Sequence, residues 1–147
     1  MKAKTKTYAG DGAEVKPQRP GFSELEYAEG DFDYRDSYAG FFSAPGQEVV
    51  RFKGIPVWVM AYSGGMLPQF RDADFAERAF AFLKKALLLV KESRPFRGPN
   101  NLKKGDFEYV DSSEGDIRSF LGRERILYKG QEVFRQDYIG GLIIGKS

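Results

Sequence analysis

The chain has 147 residues, with 23 basic and 21 acidic side chains for a net charge of +2, and it carries thirteen Phe, eight Tyr and one Trp. This suffices for one ordinary hydrophobic core, so a single domain over residues 1–147 is expected and a disordered chain is not. The absence of Cys and His excludes disulfides, thiolate nucleophiles, Cys/His zinc sites and histidine acid-base catalysis together, and neither a metal nor a cofactor is expected.

The first 24 residues place Lys2, Lys4 and Lys6 among small or polar neighbours, and Gly10, Gly12, Pro17, Pro20 and Gly21 punctuate the stretch after them. This reads as a short arm and then a loop. The lysines could touch phosphates, but a near-neutral chain with no sustained basic face and no recognition helix argues against nucleic-acid binding. Residues 31–38 alternate so that Phe32, Tyr34, Asp36 and Tyr38 share one strand face, with Asp31, Asp33, Arg35 and Ser37 on the other. Gly40, Pro45 and Gly46 break that strand. A second strand is expected over 48–53, turning at Lys53-Gly54 into a third from Ile55 to Tyr62. The turn is either a two-residue type I′ loop or a longer loop with a glycine bulge, and the two put opposite faces of the third strand toward the core.

This pattern recurs. Residues 30–40 (GDFDYRDSYAG) match 105–115 (GDFEYVDSSEG) at 7 of 11 positions, and 46–67 match 122–143 at 8 of 22. The offset changes only from 75 to 76 residues, which one extra loop residue reconciles. The sequence therefore predicts a duplicated unit, each copy a three-stranded meander, over about 25–67 and 102–143.

Between the copies, Asp74 with Glu77 suggests a capping box, and Pro95 ends a helical pattern of about 20 residues. Phe75, Phe80, Phe82, Leu83, Leu87, Leu89 and Val90 leave only a narrow polar stripe. So broad an apolar surface predicts an α+β fold in which a curved antiparallel sheet from both copies surrounds one long central helix. The longest purely apolar run near the centre, Ala86 to Val90, continues this charged helix, so no membrane span is read and a cytoplasmic location is expected.

The strings TYAG (Thr7 to Gly10), YAEGDF (Tyr27 to Phe32), YRDSYAG (Tyr34 to Gly40), PVWVMAY (Pro56 to Tyr62), PFRGP (Pro95 to Pro99) and YKGQEV (Tyr128 to Val133) resemble those of an uncharacterised prokaryotic family catalogued as domain of unknown function 5680. Some relatives carry such a domain behind a helix-turn-helix module, which implies a sensing or regulatory role there; no such module is read in this chain. The resemblance supplies no activity and no catalytic residue.

Asp36 and Asp111 hold the same place in the two copies, each beside phenols or phenyl rings: Tyr34 and Tyr38, or Phe107 and Tyr109. Carboxylates on an aromatic face are costly unless paired or wetted. Glu48 and Glu124, each two residues after a repeated Gly, could approach them across the first hairpin. Such clusters could bind a cation, a sugar or a polar aromatic ligand, or act as general acid and base. The alternative is that the aspartates bond their own turns and the glutamates are solvated strand ends. Trp58, Met60 and Tyr62, matched by Phe134, Gln136 and Tyr138, form an aromatic stripe that is core first and ligand wall second. Arg97, on the stiff PFRGP turn, could clamp a carboxylate or phosphate, or simply connect helix to strand.

These residues point to a non-enzymatic small-molecule-binding or regulatory domain. The alternatives are a hydrolase-type enzyme using Asp36, Glu48, Asp111 or Glu124, and a protein-interaction module. A homodimer is also expected, because Val57, Val59 and Ala61 correspond to Val133, Arg135 and Asp137, so a face that is wet in one copy is apolar in the other and needs a cover from a partner subunit or the N-terminal arm.

Overall fold

The structure is a computed structural model that describes residues 1–146. Eight strands form one antiparallel sheet: β1 (Ser23–Glu29), β2 (Phe32–Tyr38), β3 (Gly46–Phe52), β4 (Ile55–Met66), β5 (Asn101–Lys104), β6 (Phe107–Asp116), β7 (Ser119–Tyr128) and β8 (Gln131–Leu142). Their order is β1-β2-β3-β4-β8-β7-β6-β5, so the long strands β4 and β8 pair at the centre and the rest descend to either edge.

The third-strand register follows from the turns. Lys53 and Gly54 have φ of 51° and 78°, and Lys129 and Gly130 have 49° and 80°. Two successive positive φ values define two-residue type I′ loops, whose twist matches that of the flanking strands. The register then slips once, between Val50 and Arg51 and between Ile126 and Leu127. Trp58, Met60 and Tyr62 consequently face the core, and Val57, Val59 and Ala61 face outward. Beside the second slip, Val133 is fully buried in the core with Phe134.

The expected α+β fold around a long central helix is overturned: the fold is mostly β, with one short helix lying on one face of the sheet. α1 is a single turn (Lys2–Lys6) and α2 spans Ala73–Leu87, 15 residues or about 22 Å at 1.5 Å per residue. The cap of α2 is Asp72 rather than Asp74, its side chain accepting from Phe75 N at 2.9 Å. At the other end, Leu89 N and Val90 N bond the carbonyls three residues back, which tightens and ends the helix well before Pro95. Leu88 and Leu89 are exposed, and the buried positions Ala76, Ala79, Phe82, Leu83, Ala86 and Leu87 make one stripe. One stripe needs one flat partner, so the sheet does not wrap the helix, and Tyr8, Ala9 and Phe41 from the connecting segments pack at its side.

Each half contributes four strands where three were expected. β1 and β5 form the sheet edges, and the acid-rich Ser23–Glu29 becomes a strand by pairing with β2 through the Gly30-Asp31 turn. Helix α2 packs on Met66, Tyr109, Ile126, Val133 and Phe134. A second cluster joins Trp58, Met60, Tyr62, Phe96, Phe120 and Tyr138, where Phe96 stacks on Phe120 at 4.1 Å between centroids. The segment after α2 thereby lies over β4, β7 and β8. Among the described residues no helix is long and apolar enough to cross a membrane.

Candidate functional site

The covered face of the sheet carries a row of buried acids. Asp36 on β2 is directly opposite Glu48 on β3, and Asp111 on β6 is directly opposite Glu124 on β7. They are 4%, 3%, 2% and 0% exposed, in that order. These are strand-interior positions, so none of the four is a turn residue or a solvated strand end. Ionised carboxylates so deeply buried need hydrogen bonds and counter-charges, and both are present.

Two phenols provide the first. Tyr62 donates to Asp36 Oδ1 at 2.6 Å and Tyr138 donates to Asp111 Oδ1 at 2.9 Å. The two tyrosines are themselves cross-strand partners at the centre of the sheet. Each ring lies over a glycine on the adjacent strand: a Cβ at Gly46 would stand 2.4 Å from Tyr62 Oη, and one at Gly122 would stand 2.2 Å from Tyr138 Cζ. The repeated Gly-x-Glu therefore has a steric reason, because the glycine clears the path by which each phenol reaches its aspartate.

Cations provide the second, from the N-terminal turn and the segment after α2. Arg97 donates to Glu124 Oε1 through Nε at 2.9 Å, with Nη2 at 2.7 Å from the same oxygen, and its Nη1 stands 3.8 Å from Glu48. The guanidinium thus lies between the two halves, 5.5 Å over the Tyr62 ring. Tyr109 donates to Glu124 Oε2 at 2.7 Å and Gln136 Nε2 to Oε1 at 2.8 Å. Lys4 pairs with Glu48 and donates to Phe96 O at 2.7 Å. Arg94 Nη2 is 3.0 Å from Asp111 Oδ2, a charge contact without hydrogen-bond alignment, while its Nη1 and Nε donate to Gly98 O and Ser113 Oγ.

The electrostatics are uneven. Burial, and then the charge of Glu48, push the Asp36 carboxyl up to about 7, although Tyr62, Arg97 and Lys4 pull the other way. Asp111 rises to about 6 through burial and Glu124, with Arg94 opposing. Burial also lifts the phenols of Tyr34, Tyr62 and Tyr109 well above the ordinary range, and that of Tyr8 to about 12. Burial lowers the Lys4 ammonium against the opposing pull of Glu48. For Arg97 the carboxylates outweigh burial and hold the guanidinium well above its usual value.

Above Asp36 a cavity of about 620 Å³ opens between β2, β4, α2 and the N-terminal segment. Asp36, Tyr62, Arg97 and Gln136 lie at its sheet side; Tyr8, Tyr38, Phe41, Phe80 and Leu88 wall it. Of the residues singled out from sequence, Asp36, Glu48, Tyr62, Arg97, Tyr109, Asp111, Glu124 and Tyr138 join one network, and Tyr38 lines the cavity. Tyr34 is buried beside Thr7 and Lys4 at a minor void of about 20 Å³. Trp58 stands apart, its indole donating to Ile117 O at 3.2 Å within the second core cluster. Sequence reasoning missed Lys4, Arg94, Tyr8 and the amide of Gln136. Only Gln136 carried a signal, as a polar residue in an otherwise aromatic stripe.

A mostly-β sheet with a helix over one face, a buried acid-tyrosine network and an adjoining cavity is thus the class of protein that the chain defines. The chain belongs to the family described as Domain of unknown function (DUF5680), whose model matches residues 36–143. That stretch holds all four carboxylates, Tyr62, Tyr138, Arg94 and Arg97, and leaves out Lys4 and Tyr8. No curated protein and no solved structure matches the chain.

Proposed function

We propose that the chain is a non-enzymatic domain, a single unit over residues 1–147, that binds a small molecule in the cavity between α2 and the sheet. The supporting observation is the lining: aromatic and aliphatic walls around a few convergent polar groups, Asp36, Tyr62, Arg97 and Gln136. Small-molecule pockets are commonly built this way and are of this size. The two sequence-related halves support the reading by their difference. Over β6–β8 the space is filled by Phe75, Phe82 and Phe107, whereas over β2–β4 it is open. A thermal-shift screen with a broad metabolite panel tests the reading in wild type and in Ala81→Trp, which plugs the cavity from an exposed helix position. Compounds that raise the melting temperature of wild type alone support it. If no compound does so, or if every hit stabilises both proteins equally, the cavity is not a binding site.

One observation favours an enzyme instead: a carboxyl held near 7 is suited to general acid-base work. That reading requires a turnover that titrates near pH 7 and collapses in Asp36→Asn.

We also propose that the outer face of the sheet meets a second copy of the chain. Val57, Val59, Ala61, Leu121 and Ile139 lie on it, and ion pairs of both signs, Arg123–Asp137 and Arg51–Asp33, flank them, which suits a self-complementary contact. The arm around Lys4 does not cover this face, because Lys4 ties it to Glu48 and Phe96 on the other one, and the stretch after it reaches only the near edge, where Arg19 donates to Gln47 at 3.0 Å.

A further inference from the structure

Three of the four buried carboxylates on the covered face have a cation of their own: Glu48 has Lys4, Glu124 has Arg97 and Asp111 has Arg94. Asp36 has none. Its Oδ1 accepts from Tyr62, while its Oδ2 has no hydrogen-bond partner among the described residues, and the side chain borders the 620 Å³ cavity. Asp36 and Asp111 are otherwise built alike, each opposite a glutamate and each bonded by a tyrosine whose ring crosses a glycine. The second half completes this arrangement with a guanidinium; the first half leaves an opening in that place. Taking ionised Asp36, Glu48 and Glu124 against Lys4 and Arg97, three negative groups face two positive ones, so the network is one positive charge short whenever Asp36 gives up its proton. The cavity rim does not supply it: Lys84 is held by Asp11 at 2.5 Å, and Lys85, exposed on α2, makes no ion pair with the buried acids among the described residues.

We propose that the cavity takes an organic cation, a guanidinium, amidinium or amine on an apolar or aromatic body, whose charge sits against Asp36 as Arg94 sits against Asp111. This rests on the binding reading above and names its ligand class. The walls suit such a body, because Tyr38, Phe41 and Phe80 line the cavity with aromatic rings, which attract both cations and flat apolar groups, whereas Tyr8 already carries the Lys84 ammonium 4.9 Å from its ring centroid. An anion is disfavoured, since Arg97 is already engaged by Glu124 and any added negative charge would face Asp36 and Glu48.

Binding is coupled to a proton. Asp36 is faced by Glu48 from β3, Tyr62 from β4, Lys4 from α1 and Arg97 from the segment after α2, and together with burial they hold its carboxyl at about 7. A cation favours the ionised form, so it displaces the proton from the fraction of molecules that carry one, and its affinity rises with pH up to about 7 and then levels.

The test is calorimetry and amide chemical-shift titration with three flat probes of one shape and different charge: benzamidine, benzamide and benzoate. Benzamidine is expected to bind at least about tenfold more tightly than the other two, the size of a charge-assisted hydrogen bond. It should release a proton at pH 6.5, lose that advantage in Asp36→Asn and fail to bind Ala81→Trp. If benzamide or benzoate binds as tightly as benzamidine, and Ala81→Trp abolishes that binding, the cavity binds ligands but the cation assignment is wrong. If none of the three binds at millimolar concentration, the cation assignment is also wrong, and the metabolite screen then decides separately whether the cavity binds anything. Retained benzamidine affinity in a folded Asp36→Asn variant removes Asp36 as the recognition group.

Discussion

Tyr62 donates its hydroxyl to Asp36 across Gly46 at 2.6 Å. Among the described residues the phenol is the one group that hydrogen-bonds that carboxyl, so Tyr62→Phe should raise the Asp36 carboxyl above about 7 and cost about 1–3 kcal/mol of stability. Chemical denaturation checks the cost, and carboxyl-carbon NMR titration checks the direction. An unchanged Asp36 titration would show that burial and Glu48 alone set its acidity.

The raised carboxyls make stability depend on pH in a defined direction. Between its ordinary value of 3.8 and about 7, Asp36 keeps a proton in the folded protein that the unfolded chain has released; Asp111 does so up to about 6. Their contribution is complete below 3.8 and is lost as pH rises through the folded values. In Asp36→Asn the Asp36 part disappears. The stability difference, wild type minus variant, should therefore fall from pH 4 to pH 7 and be flat above that. A pH-independent difference in urea unfolding would contradict the assignment.

Gly122→Ala places a methyl group against the Tyr138 ring, whose Cζ, Oη and Cε2 would all lie within 2.6 Å of the new Cβ. Overpacking of this kind costs about 1–3 kcal/mol. The clash is with one side chain, so the same substitution should cost much less in a Tyr138→Ala background. Strictly additive effects in that double-mutant cycle would mean that the backbone, not the phenol, requires the glycine.

Lys4 is predicted to be structural despite its place at the chain's start. Lys4→Met leaves Glu48 buried with Arg97 Nη1 3.8 Å away as its nearest cation, and breaking a buried pair costs about 3–5 kcal/mol. The double variant Lys4→Met with Glu48→Gln should recover most of that loss. A cost below about 0.5 kcal/mol, the usual scale for a surface change, would show that the arm detaches in solution.

The outer-face contact is checked by sedimentation. Wild type should run as a dimer at micromolar concentration, and Val59→Arg, which puts a charge in the middle of the patch, should run as a folded monomer. A monomeric wild type removes the proposal.

Much of the strand pattern was legible because it is local. Alternation over Phe32–Tyr38 marks one side of β2, Lys-Gly before an apolar run marks a hairpin, and the recurrence of Asp36, Glu48 and Tyr62 as Asp111, Glu124 and Tyr138 singles out the residues that the sheet brings together. Each signal concerns residues a few positions apart, where periodicity and turn chemistry decide the conformation. The edges β1 and β5 were not legible, because a polar strand is stabilised by its neighbour rather than by its own sequence. The helix length was misjudged for a related reason: apolar residues mark what prefers burial, but Leu88 and Leu89 remain exposed because hydrogen bonding ends the helix before any surface could cover them. Tertiary structure alone decided the charges. Lys4, Arg94 and Arg97 come from distant segments to three of the four carboxylates, and Asp36 is left to face the cavity because α2 and the loop after it cover the two halves unequally. The sequence determined that Asp36 and Asp111 share a strand face with aromatic rings; which carboxylates are buried, and which of them lacks a counter-charge, depends on long-range packing, which no local pattern encodes.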